Sequence, residues 1–270
     1  MSREHITDAL AENPDPHRVR FLKELSALLL LLRQQVQDSE NRLLLLIVGH
    51  SQNGAIPPDA LPLMRRPIHN EMEMLAALLT NSVTSSLAAT AERGAASVAA
   101  KSKRSVAALK VIGGAIISSL VLKAIRVGLE DEPIPEHIRR LVQGAESALM
   151  KRISRAALTD EAIGALKGGV SAVLRGTQKG GEQAPAAALL PNLEREIEYD
   201  SASLYADAQT EMAGQIGEKV LMRYTLSAAH PRFDECDHYE GELFEPEDAT
   251  IIPLHRACLC FWTPELVKSD

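Results

Sequence analysis

Residues 192–226 read NLEREIEYDSASLYADAQTEMAGQIGEKVLMRYTL, and the fold class turns on this stretch. Leu193, Ile197, Leu204, Ala208, Met212, Ile216 and Val220 recur at intervals of four or seven. Such intervals stack side chains on one face of a 3.6-residue helix, so the stretch predicts one long amphipathic helix over residues 191–226. Gly214 and Gly217 are its soft spots, since glycine costs about 1 kcal/mol against alanine in a helix interior.

Upstream the same period returns. Phe21, Leu22, Leu25, Leu28, Leu29, Leu32 and Val36 share one helical face, and an apolar run, Leu43 to Val48, follows a polar patch. Asp38, Ser39 and Asn41 offer a point at which this segment can divide into two helices. Prolines 14 and 16, 57 to 67, 133 and 135, and 185 and 191 punctuate the chain, because proline removes an N–H and clashes with the previous helical turn. Between them the pattern predicts helices near residues 17–48, 68–128 and 136–175, before the 192–226 segment. Gly176 to Gly181, with Gln183 and Pro185, reads as a linker.

Composition agrees with helices and divides the chain. Of 270 residues 46% are hydrophobic, enough apolar material to exclude wholesale disorder or a disulfide miniprotein. Phe21 is the only aromatic before Tyr199, and a long Ala- and Leu-rich stretch without aromatics argues against a sheet. The net charge of −7 resides in residues 230–270, which hold ten acids against three basic groups and leave the rest neutral. All three cysteines, Cys236, Cys258 and Cys260, fall there too. The expected organisation is therefore a helical region over 1–190, the long helix over 191–226, and a Cys/His-rich acidic module over 227–270. The fold class is mainly α, ending in a small zinc-knuckle-like module with short strands at Met222–Leu226, Thr250–Ile252 and Leu259–Trp262. The odd cysteine count and the polar Met1–Leu10 predict synthesis inside the cell rather than secretion.

Residues 81–128 hold seven basic groups and one acid, Glu92, interleaved with Ala, Ser and Gly. Only twelve residues separate Lys110 from Lys123, short of the roughly 20 that a bilayer span needs, so the segment reads as a core helix in which Gly113 and Gly114 permit close packing. Two sharper alternatives are phosphate contact with DNA through the basic segment 93–126, and an anionic membrane surface.

The chemistry lies in residues 230–262. A structural zinc site takes four tetrahedral nitrogen or sulphur ligands, commonly from two short clusters joined by a loop. Cys236 can supply one, and His255, Cys258 and Cys260 the other three, across a nineteen-position step with a polar loop. Zinc would then replace a hydrophobic core that some forty residues cannot easily build. The alternative is three cysteines packing as small hydrophobes. His230 and His238 read as surface or supporting histidines. His238-Tyr239-Glu240 matches the H-x-E of zinc nucleobase deaminases, but the partner P-C-x-x-C is here Cys258-Leu259-Cys260 without the proline, so a zinc-dependent nucleic-acid enzyme is the weakest reading. No phosphate-loop, G-x-S-x-G or H-E-x-x-H pattern occurs, and the expectation is no catalytic set.

Tyr224-Thr-Leu-Ser-Ala-Ala-His-Pro-Arg-Phe-Asp-Glu-Cys-Asp, then Gly241, then Pro253-x-His255-x-x-Cys258-x-Cys260, resembles the C-terminal signature of tailed-phage minor head, or head-morphogenesis, proteins similar to protein F of phage Mu. That family shows an aromatic-led strand, a D-x-C-D stretch, a glycine and a P-x-H-P-x-C-R-C ending. The resemblance covers about one sixth of the chain, and Arg256 and Leu259 stand where the family often has proline and arginine. It implies a structural minor capsid protein of the virion head, assembled in the host cytoplasm, oligomeric in the particle, with portal and capsid partners and a role in assembly, DNA packaging or ejection. The alternative within the same setting is an ejected internal protein whose basic helix engages membrane or DNA.

Overall fold

The computed structural model describes residues 15–127, 132–176, 188–227, 230, 233–249, 252–255 and 258–267. Among them are six α-helices: α1 (Pro16–Gly49), α2 (Leu61–Ala99), α3 (Val106–Arg126), α4 (Ile134–Leu158), α5 (Ile163–Arg175) and α6 (Leu189–Gln215). Three short strands, β1 (Val220–Thr225), β2 (Leu243–Phe244) and β3 (Phe261–Leu266), form an antiparallel sheet in the order β2-β1-β3. The chain is mainly α, with a small sheet and a Cys/His cluster near its C-terminus.

The helices differ from the expected spans in instructive ways. α1 passes unbroken through Asp38, Ser39 and Asn41, because Leu32, Val36, Leu43 and Ile47 keep one buried stripe on both sides of them. The 68–128 segment is two helices. α2 begins ahead of Pro67 and tolerates it early in its length, and α3 starts afresh where the Ser105 hydroxyl accepts from the Ala108 N–H at 3.3 Å. The 136–175 segment divides into α4 and α5 at a turn that includes Asp160, with φ 51°. Gly176, φ 70°, closes α5 as a left-handed cap; of the expected linker, residues 177–187 lie outside the described residues.

The largest correction falls on residues 192–226. α6 ends at Gln215, Gly217 turns the chain with φ 66°, and residues 220–225 form β1, which overlaps the expected strand Met222–Leu226 and replaces the helix expected as far as 226. Val220, Met222 and Tyr224 are buried while Leu221, Arg223 and Thr225 are half-buried, the alternation of a one-faced strand. The spacing of four that suggested a helix is also twice the strand period, so Ile216 and Val220 satisfy either. β3 overlaps the expected strand at Phe261–Trp262 and runs on to Leu266. β2 was not expected, and of Thr250–Ile252 the first two residues lie outside the described set while Ile252 is not in a strand.

The chain forms two compact units whose segments interleave, so neither coincides with residues 1–190 or 227–270. The first comprises Met1–Leu28, Val83–Ile134 and Arg195–Asp270. Its core joins Phe21, Leu22 and Leu25 of α1, Leu87, Ala91, Ala95 and Val98 of α2, and Leu204, Tyr205, Ala208 and Met212 of α6. Small residues let α2 and α6 approach closely: a Cβ built on Gly94 would lie 2.2 Å from the Tyr205 carbonyl oxygen. The second unit comprises Leu29–Ser82 and Pro135–Glu194. It buries Leu32, Val36, Ile68, Leu75, Ile138, Leu149, Leu166 and Leu174, and holds the buried Glu40 carboxylate between Arg175 and the Ser171 hydroxyl.

α3 is not the core helix that its sequence suggested. Only Ile116, Leu120 and Ala124 of its 21 residues are buried, Val106, Val111 and Leu122 are exposed, and a Cβ on Gly113 or Gly114 would meet nothing within 4 Å. Taken whole, it is long and apolar enough to cross a membrane by length and composition, as is the helix over Pro58–Ala99.

Candidate metal centre

The sheet builds the site. β1 and β3 pair in register from Val220↔Leu266 to Thr225↔Phe261, which sets Tyr224 opposite Trp262 on one strand pair. Tyr224 meets Trp262 edge-on at 5.5 Å, Phe244 meets Trp262 at 5.3 Å, and Tyr239 lies 5.8 Å from Tyr224, so four aromatics form the module's small core. Gly241, φ 80°, turns the chain so that its N–H donates to the Tyr224 carbonyl at 2.9 Å.

Cys236 sits in a 3-10 turn, Glu235–Tyr239, fixed by a reciprocal cap. The Asp234 carboxylate accepts from the Cys236 N–H at 2.7 Å, and the Asp237 carboxylate accepts from the Asp234 N–H at 2.7 Å. On the opposite side, the Cys258 N–H donates to the His255 carbonyl at 3.0 Å, a turn that brings both side chains to Cys236. The Cys236 and Cys258 sulphurs are 3.6 Å apart, and His255 Nε2 is 3.3 Å from the Cys236 sulphur. A tetrahedral site with metal–sulphur bonds of about 2.3 Å has a sulphur–sulphur edge of about 3.8 Å, close to the separation seen. All three thiols are buried.

The four residues singled out from spacing, Cys236, His255, Cys258 and Cys260, do come together, but as two triads that share Cys236. One is Cys236, His255 and Cys258; the other is His230, Cys236 and Cys260, and within each triad the ligand atoms lie within 4.8 Å of one another. Either triad can hold a metal ion. His230 therefore stands nearer the sulphurs than its sequence context suggested, and its Nε2 lies 3.0 Å from the Asp237 carboxylate. His238 joins neither triad; it is exposed and packs edge-on against Phe233 at 5.5 Å. Glu240 is exposed as well, so the H-x-E pair does not line the sulphur cluster.

Electrostatics favour one thiolate among the three sulphurs. The Cys258 thiol is held down to about 5, chiefly by the hydrogen bond from Cys260, with the charge of His255 contributing. Cys260 moves upward because it supplies that hydrogen bond and is buried, and burial pushes Cys236 up to about 12. A group of thiols sharing too few protons is the donor set that a soft divalent cation completes. Asp234 lies 3.1 Å from His255 Nε2. Burial works against its ionisation, but the Cys236 N–H and the two histidines outweigh it and keep the carboxylate below its usual range. It contacts the same ring nitrogen that faces the Cys236 sulphur, so it holds the atom that a metal would take rather than the far side of the ring.

Sequence reasoning missed Arg18, 241 positions from its partner. Its guanidinium is buried and donates from Nη2 to the Leu259 carbonyl at 2.7 Å, between the two C-terminal cysteines. It lies 4.8 Å from the Phe21 ring, 5.1 Å from Tyr205 and 5.0 Å from Phe261. Burial lowers its affinity for the proton, while Tyr205, Cys260 and Cys258 act the other way. A buried cation beside the sulphurs offsets the negative charge of the Cys258 thiolate. Gln209 adds a second anchor, donating to the Ser97 hydroxyl at 2.7 Å and to the Trp262 carbonyl at 3.0 Å. No family model, curated protein or solved structure matches the chain.

Proposed function

We propose that the protein is a minor capsid, or head-morphogenesis, protein of a tailed phage, a structural component associated with the portal and the head. The observation that carries this reading is the order Tyr224, Cys236, Gly241, His255, Cys258, Cys260, a signature similar to that family's, in a module whose sulphurs converge. The proposed metal is zinc, bound by Cys236, His255, Cys258 and Cys260, with His230 and Asp234 around it. Three sulphurs and an imidazole suit zinc over the oxygen-preferring cations. Four protein ligands leave no open position for substrate or water, which favours a scaffold over an enzyme. The zinc would lock the 3-10 turn of Cys236 to the Cys258–Cys260 segment, and so present the sheet as a fixed docking surface for portal or capsid partners. The test is fractionation of phage particles from a host that carries the gene. Recovery with filled heads at a few copies per particle is expected; recovery only among free proteins of the lysate would sink the reading.

A second reading is favoured by α3. An apolar 21-residue helix so little buried, with Lys101, Lys103 and Arg104 ahead of it and Lys123 and Arg126 at its end, suits an ejected internal protein that reaches a membrane. Vesicle flotation separates the two, because a head scaffold stays in the dense fraction.

A further inference from the structure

The second compact unit contains a cleft of about 880 Å³ between the N-terminal part of α2 and the C-terminal part of α4. Arg65, Arg66 and His69 line one wall, and Lys151 and Arg155 the other. Elsewhere in this unit guanidinium groups are matched with carboxylates: Arg33 with Glu194, Arg42 with Glu71, Arg139 with Glu136, Arg152 with Glu161, and Arg175 with Glu40. Arg65, Arg66 and Lys151 have no ion-pair partner among the described residues, and Arg155 acts on Glu161, which Arg152 already holds. Glu146 is the one carboxylate in the cleft, and it is engaged by His69 at 3.1 Å. Arg65, Arg66, Lys151 and Arg155 thus converge on one concave surface, while Lys167 of the same unit lies outside it.

We propose that this cleft binds the phosphate backbone of duplex nucleic acid. Lys151 and Arg155 stand one helical turn apart, about 6 Å, and face a second row of cations, an arrangement for successive phosphates rather than a single anion. Guanidinium forks match phosphate oxygens two at a time. No aromatic lines the cleft, so it lacks the stacking platforms of single-strand binders. Its walls are helices whose backbone groups are already paired, so an extended acidic peptide would find cations but no main-chain partners; a phosphate backbone needs only the cations. The surface is distinct from the basic segment 93–126, in which Arg93 is paired with Glu24. The proposal depends neither on the metal module nor on a place in a phage head.

The test uses the full chain with a fluorescein-labelled duplex of arbitrary sequence, read by anisotropy. Four phosphate contacts predict roughly a hundredfold loss of affinity between about 50 and 200 mM salt. Arg65→Gln/Arg155→Gln, both exposed positions, should weaken binding at least about tenfold at low salt and reduce the salt slope by about 2. Lys110→Gln/Lys123→Gln on α3 should leave binding unchanged. Failure to bind duplex at low salt would overturn the proposal. So would equal binding by the Arg65/Arg155 variant, or a loss confined to the α3 variant. Capture of polyglutamate in preference to duplex would reassign the cleft to an acidic protein partner and overturn it equally.

Discussion

The C-terminal module buries three thiols and fixes the turn beside them with half-buried carboxylate caps, whereas α3 is rich in apolar residues and buries few of them fully. Both belong to the same compact unit. The module has few large aliphatic residues and depends on directional contacts: the Asp234 and Asp237 caps, the Arg18 and Gln209 anchors, and the sulphur cluster. α3 depends on its own hydrogen bonds and a narrow strip of contact at Ile116, Leu120 and Ala124. Removing one polar atom should therefore damage the module severely, and adding a methyl group to α3 should do no harm.

The largest effect is expected from Cys258→Ala. A structural zinc contributes on the order of 10 kcal/mol to the folding of a small domain, so loss of a ligand should release the metal and unfold the module. Metal content should fall from about one per chain to a small fraction, with the emission of Trp262, now buried, shifting to the red. The helical signal in far-ultraviolet dichroism should persist. Retained metal with an unchanged Trp262 spectrum would show that the aromatics hold the module without this ligand. Next in size is Arg18→Met, which removes the hydrogen bond to the Leu259 carbonyl and the cation beside the sulphurs. Urea denaturation should register a loss of about 1–3 kcal/mol, the range for a buried hydrogen bond from a charged group. No change would mean that the desolvation cost of the guanidinium cancels its contacts.

A matched pair of glycine substitutions sharpens the comparison. Gly94→Ala places a methyl group against the Tyr205 carbonyl oxygen and Ala208 Cβ, and should cost about 1–3 kcal/mol through overpacking. Gly113→Ala meets open space on α3 and should gain up to about 1 kcal/mol from helix propensity alone. Thermal melts of the two variants should move in opposite directions. A loss at Gly113 would mean that its face is covered by something that needs the space.

Much of this was legible in the sequence where the determining signal is local. The helical stripe of α1 and most of α6 follow from spacing, and the converging cysteines and His255 follow from ligand chemistry at short range. The strand at Met222–Leu226 was legible, but not where α6 stops before it, because a spacing of four fits both periods and only the buried alternation of Val220, Met222 and Tyr224 decides between them. Nor was the exposure of α3: apolarity says that a helix can be buried, not that anything lies against it. Arg18 and the Arg65–Arg155 cleft join residues far apart in sequence, and no single stretch marks them. Which of the two expected roles, surface or supporting, His230 takes was not legible for a related reason, since its approach to Cys260 depends on the β1–β3 pairing rather than on its own neighbours.

The smallest expected effect tests how α3 is held. Asp207 of α6 is half-buried, and burial raises its carboxyl above the ordinary 3.8, with Lys123 of α3 opposing the shift and Glu211 adding to it. A carboxyl whose folded value exceeds its unfolded value binds its proton more tightly when folded. Its contribution to stability is therefore present below pH 3.8 and is lost as the pH rises through the folded value. At neutral pH the ionised group is a small net cost, offset in part by Lys123. Asp207→Asn should remove that cost and raise stability by less than about 1 kcal/mol at pH 7, with the gain vanishing in acid. Raising the salt concentration should enlarge the gain, since screening weakens the attraction to Lys123 that the variant forgoes. If Asp207→Asn instead destabilises the protein at pH 7, the attraction to Lys123 outweighs burial, and α3 is held to α6 by charge as well as by its three buried residues.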